Sequence, residues 1–150
     1  HMTGWKIGYC VAPANLTAEF RKVHQFVTFS TSTPMQYGIA DMLREYPDYG
    51  RDLAGFYEVK RNVFANAVAE SDFRLLPCHG TYFQLLDYSA ISDMNDLQFT
   101  EWLTKEKGIA TIPISPFCEK PFAGKYIRCC FAKSEATLEE VGQSLCKVSM

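Results

Sequence analysis

An α/β (α+β) fold, a small mixed sheet covered by helices and preceded by one strand and connecting helices, is predicted by three features of the sequence. Apolar residues recur at helical spacing from Leu16 to about Glu70, short strand-like apolar runs then alternate with helical stretches, and capping residues stand where the pattern changes. There is no internal repeat and no low-complexity segment.

The elements follow in order. Trp5 to Val11 reads as a strand with Ile7, Tyr9 and Val11 on one face, ended by Pro13. Leu16, Phe20, Val23 and Val27 define an amphipathic helix that Asn15 is placed to cap. Thr33 and Pro34 form a cap and first-turn pair for a second helix, with Tyr37, Ile39, Ala40 and Leu43 inward. After the loop around Pro47 and Gly50, Asp52 caps a longer helix whose inner face carries Leu53, Phe56, Val63, Phe64 and Ala67. Phe73 to Leu76 and Thr81 to Tyr88 then read as a hairpin, with Pro77 and Gly80 in its turn. Asp96 caps a helix bearing Phe99, Trp102 and Leu103, which ends in Lys105, Lys107 and Gly108, where cations suit the dipole and glycine the left-handed exit. Ile109 to Ile114 and Lys125 to Ala132 are the remaining strands. Thr137 and Glu140 open a closing helix as a capping box, with Leu138, Val141 and Leu145 inward. The opening strand fits least well. About sixty residues of helix separate it from the others, so it is expected to belong to a different sheet, part of which lies outside this chain.

Composition narrows the function classes. At 150 residues, 47% hydrophobic and 21% charged, the chain is an ordinary globular domain with a core. Its 15 basic and 17 acidic side chains nearly cancel, and no basic stripe interleaves with aromatics, which argues against nucleic acid. No apolar stretch approaches bilayer length and no signal-peptide pattern opens the chain, so no membrane partner and a cytoplasmic location are expected. The cysteines at 10, 78, 118, 129, 130 and 146 form no C-x-x-C pair and no zinc spacing, so they read as free thiols and no metal site is predicted. His1 and Met2 look like a cloning remnant, although Met2 as a start codon is the alternative.

Arg128 is the residue that most needs an explanation. It interrupts the apolar run from Tyr126 to Phe131, and a guanidinium placed there cannot shed its proton, so it requires an anion of matched geometry. That anion is either an Asp or Glu of the same chain or the carboxylate of a ligand, held by two parallel hydrogen bonds. Lys6 stands in a second notable stretch, between Gly4 and Gly8 and beside Trp5. A lysine projected from such a segment is either a phosphate ligand or a solvated side chain next to a core tryptophan. His24 and His79 read as ordinary helix and turn histidines, and no Ser-His-Asp or Cys-His arrangement is present.

These stretches together resemble the class I and II aminotransferases of fold type I, which use pyridoxal 5'-phosphate, most strongly the subgroup acting on methionine, kynurenine and other bulky amino acids. The matching words are T-G-W-K-I-G-Y at 3 to 9, F-R-K-V-H-Q-F at 20 to 26, T-P-M-Q-Y at 33 to 37, G-T-Y-F at 80 to 83, I-P-I-S-P-F at 112 to 117 and I-R-C-C-F-A-K at 127 to 133, in the family's order. The resemblance implies that residues 3–50 are the end of the large cofactor domain with connecting helices, and that 51–150 are the C-terminal small domain. It assigns Lys6 to the cofactor phosphate and Arg128 to the substrate α-carboxylate, with Ile112 to Phe117 as the wall near the substrate side chain. The lysine that carries the cofactor, and hence the catalytic residue, lies before Thr3 in the family, as do most other cofactor contacts.

The resemblance thus implies an intact homodimeric enzyme that passes an amino group from an amino acid to a 2-oxo acid, and a truncated chain without activity of its own. Two alternatives stand beside it: a cysteine-conjugate β-lyase of the same family, and a non-catalytic interaction module that keeps the small-domain fold.

Overall fold

The computed structural model describes residues 3–149; the reading of His1 and Met2 as a cloning remnant lies outside them. The chain divides into two compact units at the Arg51/Asp52 junction.

The first unit is helical. A 3-10 turn over Thr3–Trp5 leads into irregular chain, then helix α1 (Ala14–Val27) and helix α2 (Thr33–Glu45). The strand predicted over 5–11 does not form. An isolated extended segment leaves both rows of its backbone groups without a ladder, and every strand among the described residues comes from 74–130. The caps also shift. Pro13 rather than Asn15 precedes α1, and Ser32 rather than Thr33 precedes α2, which puts Pro34 in the first turn, where its missing N–H costs nothing. Neither helix contains a fully buried residue, and α1 leaves Leu16, Phe20, Val23, Phe26 and Val27 exposed.

Helix α3 (Tyr49–Ala67) begins at the junction and belongs mostly to the second unit; Asp52 lies in its first turn instead of capping it. Then come β1 (Arg74–Leu75), β2 (Phe83–Asp87), α4 (Asp96–Lys107), β3 (Ile112–Pro113), β4 (Tyr126–Cys130) and α5 (Glu135–Leu145). The sheet order is β1-β2-β4-β3, and every pairing is antiparallel where a mixed sheet was expected. β1 and β2 form the predicted hairpin, whereas the run 109–114 supplies only two ladder residues, since Pro113 has no N–H to continue the pairing. Leu85 pairs with Arg128, Leu86 with Ile127 and Ile112 with Arg128, which fixes the register of the centre.

Alternation along the central strands sorts their side chains. Leu86, Ile127 and Cys129 face the core with Gln84, whose amide donates to the Leu76 and Leu85 carbonyls. Phe64 of α3, Phe99 and Leu103 of α4, and Leu138 and Leu145 of α5 complete that core. Tyr88 and Phe99 stack with ring centroids 3.9 Å apart, and the Tyr88 hydroxyl donates to the Met94 carbonyl. Helices α3 and α5 approach so closely that a Cβ on Gly142 would lie 2.3 Å from the Ala67 Cβ. The opposite sheet face carries Phe83, Leu85, Ile112, Arg128 and Cys130, none of them fully buried.

Two further caps differ from the sequence reading. Asn95, not Asp96, caps α4, in a capping box with Gln98, and Ser134 rather than Thr137 caps α5 by accepting from the Thr137 amide. No helix of the described residues is long and apolar enough to cross a membrane.

Candidate functional site

Arg128 sits at the middle of β4 with buried Ile127 and Cys129 on either side of it in sequence. Strand alternation sends those two into the core and turns the arginine to the other face, where its register partners are Leu85 and Ile112. Its guanidinium carbon lies 4.2 Å from the Phe83 ring centroid and 5.3 Å from that of Phe117. Both distances are within cation–π range, so the cation lies over both rings. Nε is buried with no hydrogen-bond partner, and Arg128 makes no ion pair with a described residue. A structural pair with an Asp or Glu of this chain is therefore not what the described residues provide.

Each ring is placed by local structure. Phe83 opens β2 just after Thr81, whose φ of 69° is unusual for a β-branched residue. The Tyr82 carbonyl between them accepts from the Phe131 amide at 3.0 Å, which ties this bend to the end of β4. Phe117 ends a 3-10 turn over Ser115–Phe117 that contains Pro116, and it is 68% exposed. That turn is held by Asp96. With Asn95 taking the cap role, the Asp96 carboxylate accepts from the Ile114 and Ser115 amides at 2.7 and 2.6 Å, and from the Leu97 amide at 3.0 Å.

Asp96 is only 3% exposed, and burial works to raise its carboxyl pKa. The hydrogen bonds from Ser115, Ile114 and Leu97 outweigh burial and hold it below the ordinary aspartate value. The Tyr88 phenol is pushed up to about 12, by burial first and then by the charges of Asp96 and Asp87. Burial, with Cys130 adding to it, likewise pushes the Cys129 thiol up to about 12, which makes it inert.

Lys6 belongs to the first unit. It follows the 3-10 turn with φ 54°, in the left-handed region, and its exposed ammonium has no hydrogen bond or ion pair among the described residues. Trp5 beside it is 46% exposed, so it is not the core tryptophan of the solvated-lysine reading. His24 sits 3.5 Å from the Thr31 hydroxyl and stacks on Phe20, and His79 is exposed in its turn. All six cysteines are free, and among the described residues no three ligating side chains group as a metal site.

The sequence reading missed the role of Asp96. The pair Asn95 and Gln98 at capping-box spacing was the available signal that the cap was already filled and that the next carboxylate was free for another task. Phe83 was also missed as a neighbour of Arg128, because its position depends on a β2–β4 register that the sequence does not display.

An antiparallel sheet with core-forming helices on one face, and on the other an arginine beside two aromatic rings with no described ion-pair partner, defines the class: a small α+β domain. Residues 1–145 match the family described as aminotransferase class I and II. The chain is 55% identical over 145 residues to the methionine aminotransferase of Escherichia coli, covering 97% of this chain and 38% of that protein. It is 32% identical to the kynurenine–oxoglutarate transaminase of Dictyostelium discoideum, over 98% of this chain and 39% of the relative. Among solved structures, that of YbdL from Escherichia coli, identified as having a methionine aminotransferase function, superposes with a TM-score of 0.84 at 54% identity, over 97% of this chain and 39% of that one. This chain belongs to the class I and II aminotransferase family, and it spans about two-fifths of the length of the relatives it matches.

Proposed function

We propose that these 150 residues are the substrate-carboxylate part of an aminotransferase whose intact form moves an amino group from methionine, an aromatic or a kynurenine-like amino acid to a 2-oxo acid. The observation that carries this reading is Arg128: a half-buried guanidinium, faced by two rings, with a buried Nε that no described residue satisfies. A substrate carboxylate would take parallel hydrogen bonds from its edges, and the 2-oxo acid of the second half-reaction offers the same group, so one arginine serves both. Ile112 and Phe117 would form the apolar wall against the donor side chain, which suits a bulky substrate.

The pyridoxal phosphate that the family uses supplies an electron sink at the substrate Cα. Lys6, a cation between Gly4 and Gly8 with no ion pair among the described residues, has the chemistry to hold its phosphate. The remaining cofactor contacts, including the lysine that would move the proton, are assigned to residues outside positions 3–149. In keeping with this, 3–50 is the end of the cofactor domain, 51–150 is the small domain, and the 150-residue chain alone is inactive. The apolar face of α1 supports a homodimer in the intact protein.

The test is the absorbance of the intact protein with added pyridoxal phosphate. A visible band bleached by methionine, absent from the 150-residue chain alone, is the expected result; an intact protein that stays colourless contradicts the reading.

A further inference from the structure

Asp96 is fully buried, carries a charge, and is not needed where it stands as a helix cap. Asn95 accepts from the Gln98 amide and the Gln98 side chain returns to the Asn95 amide, so the first turn of α4 is closed without it. One Asp96 oxygen takes the Leu97 amide. The other reaches eighteen and nineteen residues along the chain to the Ile114 and Ser115 amides, which open the turn ending in Phe117. Phe117 itself is largely exposed and does not belong to the hydrophobic core, so core packing does not hold it against Arg128. The carboxylate is what ties this turn to the rigid helix.

We propose that Asp96 is a positioning residue for the carboxylate site: by accepting the Ile114 and Ser115 amides it fixes the turn that holds Phe117 against Arg128, and so sets affinity for large apolar amino acids. This rests on the reading of Arg128 as the carboxylate ligand. Only an ionised carboxylate serves all three amides together, because an asparagine in its place would turn an NH2 towards one of these donors. Without that anchor the 3-10 turn samples other positions, Phe117 leaves its place beside the guanidinium, and the wall beside the substrate side chain loosens. The chemistry at the substrate Cα, remote from this turn, is unaffected.

The experiment is steady-state transamination by the intact protein with methionine and with alanine as donors. The variants are Asp96→Asn, Phe117→Ala and the double substitution, with Asp96→Glu as a second probe that keeps the charge but displaces it by one methylene. Asp96→Asn is expected to raise KM for methionine about tenfold, with kcat changed less than about twofold and a smaller change for alanine. In the Phe117→Ala background it should add almost nothing, since the residue it acts through is gone. Asp96→Glu should reproduce the KM effect in part, and decides the matter if Asp96→Asn fails to fold. An unchanged KM in the folded variants, or an Asp96→Asn effect equally large in the Phe117→Ala background, overturns the proposal while leaving the aminotransferase reading intact. Absence of turnover in the unsubstituted intact protein instead overturns that reading, and this inference with it.

Discussion

An arginine half-sunk in a sheet face cannot escape its surroundings by neutralising itself, so its neighbours determine what it can do. Here the Arg128 guanidinium lies over the rings of Phe83 and Phe117, and no carboxylate among the described residues pairs with it. The oddity of an arginine within an apolar strand was legible in the sequence. Phe83 beside it was not, since its place comes from the β2–β4 register, and Phe117 was legible only as part of a substrate wall, because its contact depends on a turn anchored by a distant aspartate. That aspartate has a testable titration. Because its hydrogen bonds depress the folded carboxyl below the ordinary value, its contribution to stability is present above the unfolded pKa and lost as pH falls through the folded one. The unfolding midpoint of the unsubstituted protein is therefore expected to lie above that of Asp96→Asn at neutral pH, and to fall more steeply than it once the pH drops below the ordinary aspartate pKa. Parallel curves would remove Asp96 from this role.

At the scale of elements, helices read from apolar spacing appear with the right number and order; α3, α4 and α5 bury part of that stripe in the core, whereas α1 and α2 form with theirs exposed or only partly covered. Their caps were less legible, since Asp52, Asp96 and Thr137 each stand inside a first turn where several polar residues compete for one position. The strand at 5–11 failed for a different reason: a strand exists only through its neighbours, and alternation alone does not supply them. Two close fits make the element packing testable. Gly142→Ala forces a methyl into the Ala67 backbone and is expected to cost about 1–3 kcal/mol in thermal or denaturant unfolding. Thr81→Gly relieves a β-branched residue held at φ 69° and is expected to be neutral or to stabilise by up to about 1 kcal/mol. A large loss from Thr81→Gly would mean that the threonine side chain, not the backbone bend, holds the approach to Phe83.

For the whole molecule, the motifs at 3–9, 80–83, 112–117 and 127–133 carried the family resemblance, and the match over residues 1–145 places the chain in that family. Lys6 stands in the first compact unit and Arg128 in the second. What Arg128 binds decides the function, and the most direct measurement is kcat/KM for methionine in the intact protein, with and without Arg128→Lys. Lysine keeps the charge but lacks the planar fork, so a fall of about a hundredfold or more is predicted, with the visible cofactor band preserved. If Arg128→Lys turns over methionine as efficiently as the unsubstituted protein, Arg128 does not bind the substrate carboxylate and the central claim is wrong.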